Sequence, residues 1–90
     1  MELKETVDGM LSEDYKERFI AEYNQAVIRR DKLEAMLDKY FNNKLDFEPT
    51  NDIGLLVTQT NVMSAYINIL RLRAEKEKIK IKLDYPPRVS

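Results

Sequence analysis

Apolar residues recur at three- and four-residue spacing along two long stretches of the chain, separated by one short polar loop. The first stretch covers residues 13–41 and the second covers residues 52–78. This spacing places the apolar side chains on one face of an α-helix, whereas a half-buried strand would alternate at every second residue. The pattern therefore predicts two long amphipathic helices. The positions expected to face each other are Phe19, Tyr23, Ala26, Val27, Leu33, Met36, Leu37 and Tyr40 in the first helix, and Ile53, Leu56, Met63, Tyr66, Ile69 and Leu70 in the second.

Polar residues predict where the two helices begin and end. Ser12 is a favourable N-cap for the first helix, and Asn51 is the preferred N-cap for the second. Asn42 and Asn43 are expected to end the first helix. The loop that follows is short, which makes the two helices antiparallel neighbours. Leu45 and Phe47 in this loop are expected to pack back on the end of the hairpin.

The two ends of the chain differ from the hairpin. Residues 2–9 favour a short helix that ends near Gly9 in a left-handed turn, followed by an apolar elbow at Met10 and Leu11. Beyond residue 78, apolar and polar residues alternate, which indicates an extended segment. We therefore expect an all-α fold in a single domain, residues 1–90: a short N-terminal helix and elbow over 1–11, an antiparallel helical hairpin over 12–78, and an extended tail over 79–90.

A second set of apolar residues lies away from the predicted helix–helix contact. An isolated hairpin buries too little apolar surface to offset the conformational entropy that its residues lose on folding. Association of several copies would bury the second set, so the sequence predicts a homo-oligomer. The members of this set are Met10, Leu11, Ile20, Ile28, Val62, Ile67 and Leu72.

Composition restricts the possible chemistry. The chain has no cysteine and no histidine, which removes thiolate nucleophiles, the commonest general base and the commonest metal ligand. Serines and carboxylates remain, but no activating base accompanies them, so we expect no enzymatic activity, no metal and no cofactor. The net charge is −1 and acids interleave with the basic clusters, which argues against binding to linear nucleic acid. No apolar run approaches the roughly 20 residues that a membrane span needs, and the N-terminus does not resemble a signal peptide, so a cytoplasmic location is expected.

Binding of a compact anion is better supported than catalysis. The segment 15–32 combines aromatic and cationic side chains within about five helical turns. Nucleotides are bound by cations that meet the phosphates and by flat groups that stack on the bases. The alternative is that these charges only form a solvated helix face with neighbouring acids. Tyr15 and Arg30 lie about 22 Å apart along a straight helix, so a ligand about 10 Å across would contact both only if two copies contribute to the site.

The stretch YKERFIAEYNQAVIRRDKLEAML, followed by the loop and VMSAYINILRLR, resembles the helical hairpin domain of phage anti-defence nucleotide sponges. The resemblance covers residues 12–78 and is to the anti-CBASS sponges, whose hairpin is shared with anti-Thoeris sponges. The anti-Thoeris proteins carry an additional β-rich part, for which this chain has no room. The matching positions are Arg18, Glu22, Arg29, Lys32 and Leu33 in the first helix, and Met63, Tyr66, Ile69, Leu70 and Arg73 in the second.

The resemblance implies a homohexamer that sequesters cyclic oligonucleotide second messengers without cleaving them, in the cytoplasm of an infected cell. Cyclic dinucleotides would lie between the N-terminal regions of two subunits, with a tyrosine stacked on the bases and a cation at the phosphate. A second type of site would hold cyclic trinucleotides where three subunits meet. The candidate dinucleotide residues are Tyr15, Lys16, Arg18, Arg29 and Arg30, and the candidate trinucleotide residues are Lys32, Arg71 and Arg73.

Two other interpretations of the residues remain open. A small helical assembly protein without a nucleotide ligand would show the same apolar faces. A nucleic-acid binder would show affinity for linear strands with steep salt dependence, although the interleaved acids argue against it.

Overall fold

A computed structural model describes residues 1–81 of the chain, and the regular structure in this range is entirely helical. A 3-10 helix over Leu3–Thr6 continues directly into a short helix α1, Val7–Met10. Helix α2 spans Tyr15–Phe41 and helix α3 spans Ile53–Glu77. The predicted all-α fold, a short helical segment followed by two long helices, is confirmed for these residues.

Helices α2 and α3 lie side by side and run in opposite directions. The hydroxyl of Tyr15, at the start of α2, contacts the carboxylate of Glu77, at the end of α3. At the other end of the pair, Phe41 and Val57 line the same groove. The described part of the chain is therefore a helical hairpin, and the start of α2 is held against the end of α3.

The core lies between the two helices near this end of the hairpin. Leu70 is completely buried at its centre, and Ile20 and Ile81 pack against the core from its edge. Enclosure of this kind stabilises the fold by roughly 1.5–3 kcal/mol for each large apolar side chain. The core residues are Phe19, Tyr23, Ala26, Val27, Ile67, Leu70, Ala74 and Ile79.

The predicted facing positions are correct for most of α2 but partly wrong for α3. Tyr66 and Ile69 were expected in the contact and are exposed instead. Ile28 of α2 was assigned to the second face and is buried, on the side of that helix that carries Ala21 and faces the N-terminal segment. Ile67 of α3 was also assigned to the second face and is buried against α2. The physical reason is that α3 has two apolar stripes about 100° apart, each with three- and four-residue spacing. The stripe that packs on α2 is Leu56, Thr60, Met63, Ile67, Leu70 and Ala74.

The N-caps of both long helices differ from those predicted. Asp14, not Ser12, caps α2, and its carboxylate accepts a hydrogen bond from the Lys16 backbone N–H at 2.9 Å. Asp52, not Asn51, caps α3, accepting from Leu55 N–H at 3.3 Å. Both predicted caps lie one or two residues too early. Ser12 has a supporting role, since its Oγ accepts from the backbone N–H of Asp14 at 3.0 Å.

Left-handed residues end both long helices. Asn43 has φ 58°, and the following N–H of Lys44 donates to the Lys39 carbonyl at 2.8 Å, which confirms the predicted end of α2. Lys78 adopts φ 57° after α3, and the N–H of Ile79 donates to the Ala74 carbonyl at 2.8 Å. Ile79 is buried against its own hairpin. The last turn of α3 is therefore anchored in the core.

The N-terminal segment packs on α2. The buried Thr6 hydroxyl accepts a hydrogen bond from the side-chain amide of Gln25 at 3.0 Å and donates to the Leu3 carbonyl at 2.6 Å. A Cβ at Gly9 would lie 3.0 Å from the Cβ of Ala21, so this glycine allows close approach. Its φ is not positive, and the predicted left-handed turn at Gly9 is therefore wrong.

Two predicted apolar contacts are formed only in part among the described residues. In the elbow, Leu11 is 78% exposed, whereas Met10 is 39% exposed and therefore partly covered by residues 1–81. Phe47 in the loop is exposed as well, while Leu45 is half-buried. The predicted extended tail begins at a residue that folds back onto the core, Ile79, and its remainder over 82–90 lies outside the described residues.

Candidate functional site

Four side chains meet where the start of α2 packs on the end of α3, and we call them the tyrosine cluster: Tyr15, Phe19, Arg73 and Glu77. The Tyr15 hydroxyl donates to Glu77 Oε1 at 2.8 Å and accepts from an Nη of Arg73 at 2.9 Å. Arg73 Nε donates to Glu77 Oε2 at 3.3 Å. The cluster thus joins a phenol, a guanidinium and a carboxylate at the surface, and Tyr15 as a whole residue is 41% exposed.

Arg73 is the cation of this cluster. Its guanidinium carbon lies 5.0 Å from the centroid of the Phe19 ring, within cation–π range. Partial desolvation lowers the pKa of Arg73, but hydrogen bonds and charge attraction with Glu77 and Tyr15 outweigh that effect, so its pKa is raised above the ordinary value. The side chain is half exposed. A permanently charged, planar donor is therefore presented to solvent beside an exposed aromatic ring.

Lys16 and Arg18 lie near this cluster, at the first turn of α2. Arg18 donates from an Nη to the Ser12 carbonyl at 2.8 Å, which directs its guanidinium toward the turn before α2. Lys16 contributes its backbone N–H to the Asp14 cap, and its side chain is exposed. Both cations therefore add positive charge close to Tyr15.

A second cationic region lies in a groove between α2 and α3, which we call the arginine groove. It encloses about 750 Å³. Arg30 and Arg71 line it from opposite helices, and amides and hydroxyls of Asn61, Ser64 and Asn68 line it from α3. Acids are present as well, at Glu34 and Asp38.

Arg30 is buried to 7% exposure and donates from Nε to Asp31 at 3.3 Å. Burial raises the pKa of the neighbouring Tyr23 hydroxyl, while the positive charges of Arg71 and Arg30 reduce that rise and the carboxylate of Asp31 adds to it. Tyr23 therefore lies within the electrostatic field of both arginines. The groove is thus lined by two arginines whose positive charges act on the buried Tyr23 hydroxyl.

The structure groups the predicted residues differently from the sequence. Tyr15 and Arg73 were assigned to different sites, yet they share a hydrogen bond. Arg30 and Arg71 were also assigned to different sites, yet they line one groove. Arg29 and Lys32 are exposed, and Lys32 lies 4.0 Å from the Glu2 carboxylate.

Sequence reasoning missed Glu77 and the role of Phe19. Glu77 lies 62 residues from Tyr15, and no local pattern pairs them. A weak signal existed, because Arg73 and Glu77 are four residues apart on one helix. Phe19 was assigned to the core, which is correct, but it also supports the guanidinium of Arg73.

A row of exposed apolar residues runs along α3 on the side away from the groove. We call Leu55, Val62, Tyr66 and Ile69 the α3 stripe, and all four are exposed. Arg73 follows at the next position of the same helical spacing. The stripe therefore leads directly to the tyrosine cluster.

By length and composition alone, α3 is apolar enough to cross a membrane, and only 22% of its most apolar stretch is buried. The sequence expectation that no run approaches such a length is corrected here, since residues 53–70 carry no charge. One helix of this kind is weak evidence for a membrane, because the core helix of a soluble protein passes the same test.

Residues 1–81 contain no group of three acidic, histidine or cysteine side chains placed to hold a metal ion. The cationic side chains of the two regions can bind anions, and the Tyr15 ring offers a stacking surface. The arrangement is suited to binding, because an aromatic surface and cationic side chains lie close together.

Comparison with known proteins and protein families relates the chain to one family. Curated proteins and solved structures gave no significant match to the chain. A family model described as Sequestin matches residues 13–76, which include α2, the loop and nearly all of α3. A family named for sequestration indicates a binding role. Because the match covers well over half of the chain, this protein belongs to the Sequestin family.

Proposed function

We propose that this protein sequesters cyclic oligonucleotide second messengers without cleaving them and so blocks CBASS signalling during phage infection. The observation that carries the proposal is the tyrosine cluster at the start of a hairpin of the Sequestin family: an exposed aromatic ring held beside a guanidinium. Sequestration acts by mass action, because protein in excess of the dissociation constant lowers the free messenger concentration. For this role the protein must be located in the cytoplasm of the infected cell.

The tyrosine cluster supports binding of a cyclic dinucleotide. Tyr15 would stack on a base, and Arg73, Arg18 and Lys16 would supply positive charge for the phosphates. Arg29 and Arg30 lie about 22 Å along α2 from Tyr15, so they would meet the same ligand only from a second copy. The arginine groove is the better candidate for a larger ring, with Arg71 and Arg30 at its wall. Lys32 lies on the opposite side of α2 from Arg30, close to Glu2, so it would meet the same ligand only from another copy.

The proposal includes a homo-oligomer, with a hexamer expected from the resemblance described above. Its physical support is the α3 stripe together with the exposed Leu72 and Leu11. Contact of the stripe with another copy would remove these residues from water, and each large side chain covered contributes roughly 1.5–3 kcal/mol. The stripe leads to Arg73, so a second copy covering it would lie next to the tyrosine cluster.

The same stripe supports an alternative function, a helical assembly protein with no nucleotide ligand. The two functions differ in whether the protein needs the tyrosine cluster and the arginine groove for its activity. An assembly protein tolerates loss of Tyr15 and Arg30, and no nucleotide accompanies it through purification.

Calorimetric titration with cyclic di-AMP, cyclic di-GMP, cyclic GMP–AMP and cyclic tri-AMP tests the proposal. We expect tight binding of at least one of them and recovery of the ligand intact by chromatography. Linear dinucleotides of the same bases serve as controls and should bind much more weakly. The absence of heat with every cyclic ligand would reject sequestration of cyclic nucleotides, and recovery of a cleaved ligand would reject the non-catalytic mechanism.

A further inference from the structure

Glu77 occupies the position in the tyrosine cluster where an anion is best stabilised. One carboxylate oxygen accepts from the Tyr15 hydroxyl at 2.8 Å, and the other accepts from Arg73 Nε at 3.3 Å. A phosphate offers the same charge sign and the same type of acceptor oxygens. In the absence of a ligand, the Glu77 carboxylate therefore accepts the hydrogen bonds of Tyr15 and Arg73 that a nucleotide phosphate would need.

Helix stability does not explain this carboxylate. Glu77 is the last residue of α3, where the helix dipole disfavours negative charge. Its ion pair with Arg73 has the basic residue on the N-terminal side, which is the less favourable order for a pair four residues apart. The contacts with Tyr15 and Arg73 are the interactions that the structure gives to this side chain.

We propose that Glu77 is an internal competitor: its carboxylate holds Tyr15 and Arg73 together in the free protein and yields this place to a phosphate of the entering nucleotide. This inference rests on the proposed function, and it assigns to the same site a residue that sets affinity. Before binding, Glu77 positions Tyr15 and Arg73. When the ligand binds, the Glu77 carboxylate moves away from the Arg73 guanidinium.

The surroundings of the cluster allow this exchange. The Arg73–Glu77 pair is partly exposed, with side-chain exposures of 48% and 36%, so solvent screens it and little is lost when it opens. The Phe19 ring supports the guanidinium independently of Glu77. Burial of Ile79 anchors the end of α3 through the change. Arg73 can therefore keep its place while its anionic partner is replaced.

The substitution Glu77→Gln tests the proposal, since it retains size and hydrogen-bonding groups but removes the competing charge. We expect the dissociation constant for the tightest cyclic dinucleotide of the panel to fall about fivefold, the effect of one unit charge at about 4 Å in water. Glu75→Gln is the matched control: it makes the same charge change two residues away on a different side of α3. The dissociation constant of Glu75→Gln should stay within about twofold of the wild-type value. Arg73→Gln, which removes the cation, should bind the same ligand at least about tenfold more weakly.

A second measurement examines the contact without a ligand. In protein with 13C-labelled tyrosine, the Tyr15 ring signal, identified by its loss in Tyr15→Phe, should shift in Glu77→Gln and not in Glu75→Gln. Addition of the cyclic dinucleotide to the wild type should shift the same signal. An unchanged Tyr15 signal in free Glu77→Gln would overturn the proposal.

The outcomes separate this proposal from the proposed function. If the wild type binds a cyclic dinucleotide and Glu77→Gln binds it equally or more weakly, the competitor role is rejected and the proposed function stands. If Glu75→Gln strengthens binding as much as Glu77→Gln, only the general charge matters and the competitor role is again rejected. If neither the wild type nor any variant binds, the proposed function fails and the exchange fails with it.

Discussion

Tyr15 links the two helices of the hairpin through its hydroxyl and leaves its ring partly open. The hydroxyl donates to Glu77 and accepts from Arg73, so the side chain is fixed at its far end. A fixed aromatic ring loses less entropy when a base stacks on it, which favours binding. The residue thus combines an anchored position with an exposed face.

We predict that Tyr15→Ala removes most of the affinity for cyclic dinucleotides and leaves the oligomer intact. Stacking on one base contributes about 1–3 kcal/mol, so the dissociation constant should rise by roughly fivefold to more than a hundredfold. Calorimetry measures the affinity, and light scattering measures the size of the assembly. Tyr40→Ala is the control, because Tyr40 is similarly exposed at the opposite end of α2. Loss of the assembly in Tyr15→Ala would make Tyr15 a structural residue instead.

From the buried Tyr23 hydroxyl we predict that the folded protein loses stability at alkaline pH. Burial raises the pKa of its hydroxyl above the ordinary value of about 10, which is the value in the unfolded chain. The stability that this group contributes is therefore complete below about pH 10 and is lost as the pH rises through the raised folded pKa. Urea unfolding followed by circular dichroism between about pH 8 and 11.5 should show this decrease. In Tyr23→Phe the decrease should be smaller than in the control Tyr40→Phe.

At the scale of single elements, the two long helices depend on aspartate caps placed directly before their first turns. Both lie in runs of polar residues that offer several candidate caps, Ser12 to Asp14 before α2 and Thr50 to Asp52 before α3. Local sequence narrows the start of a helix to such a run. The choice within the run follows from where the chain enters the packed hairpin, and packing is a tertiary property.

We predict that Asp52→Ala destabilises the fold by about 1 kcal/mol, the usual effect of losing an N-cap side chain. Asn51→Ala should change the free energy of unfolding by less than about 0.5 kcal/mol, since the structure gives the cap to Asp52. Urea unfolding at one fixed protein concentration measures both values. Equal losses in the two variants would contradict the assigned cap.

At the scale of the whole molecule, α3 carries two apolar stripes and the hairpin buries one of them. Ile67 and Leu70 are enclosed against α2, whereas Tyr66 and Ile69 face outward. An exposed apolar row of this length on a small domain marks an interaction surface. It also lies next to Arg73, the cation of the tyrosine cluster, so in the proposed oligomer a second copy covering the stripe would lie beside the proposed binding residues.

We predict that Ile69→Glu breaks the assembly while the helical content of the hairpin is retained. A carboxylate at an apolar interface loses its hydration, and no partner is provided for it. Ala35→Glu is the matched control, because Ala35 is exposed on α2, on the side of that helix away from the residues that pack on α3. Light scattering should show smaller particles for Ile69→Glu alone, with circular dichroism near that of the wild type. An Ile69→Glu protein that keeps its full assembly would exclude the α3 stripe as the contact between copies.

The sequence by itself determined the helical class, the two long helices and their antiparallel arrangement. These follow from local spacing, end signals such as Asn43 and a short loop, all of which act over a few residues. It also identified Tyr15, Arg30, Arg71 and Arg73 as candidates, because their chemistry is visible in the residue types alone.

Only the tertiary structure decided which apolar stripe of α3 is buried and which side chains share a site. Two stripes about 100° apart satisfy the same periodicity, so spacing does not choose between Ile67 and Ile69. The pairing of Tyr15 with Arg73 and Glu77 joins residues 58 and 62 positions apart. Contacts at such separation depend on how the two helices are placed against each other in the folded hairpin, and no local pattern encodes that placement.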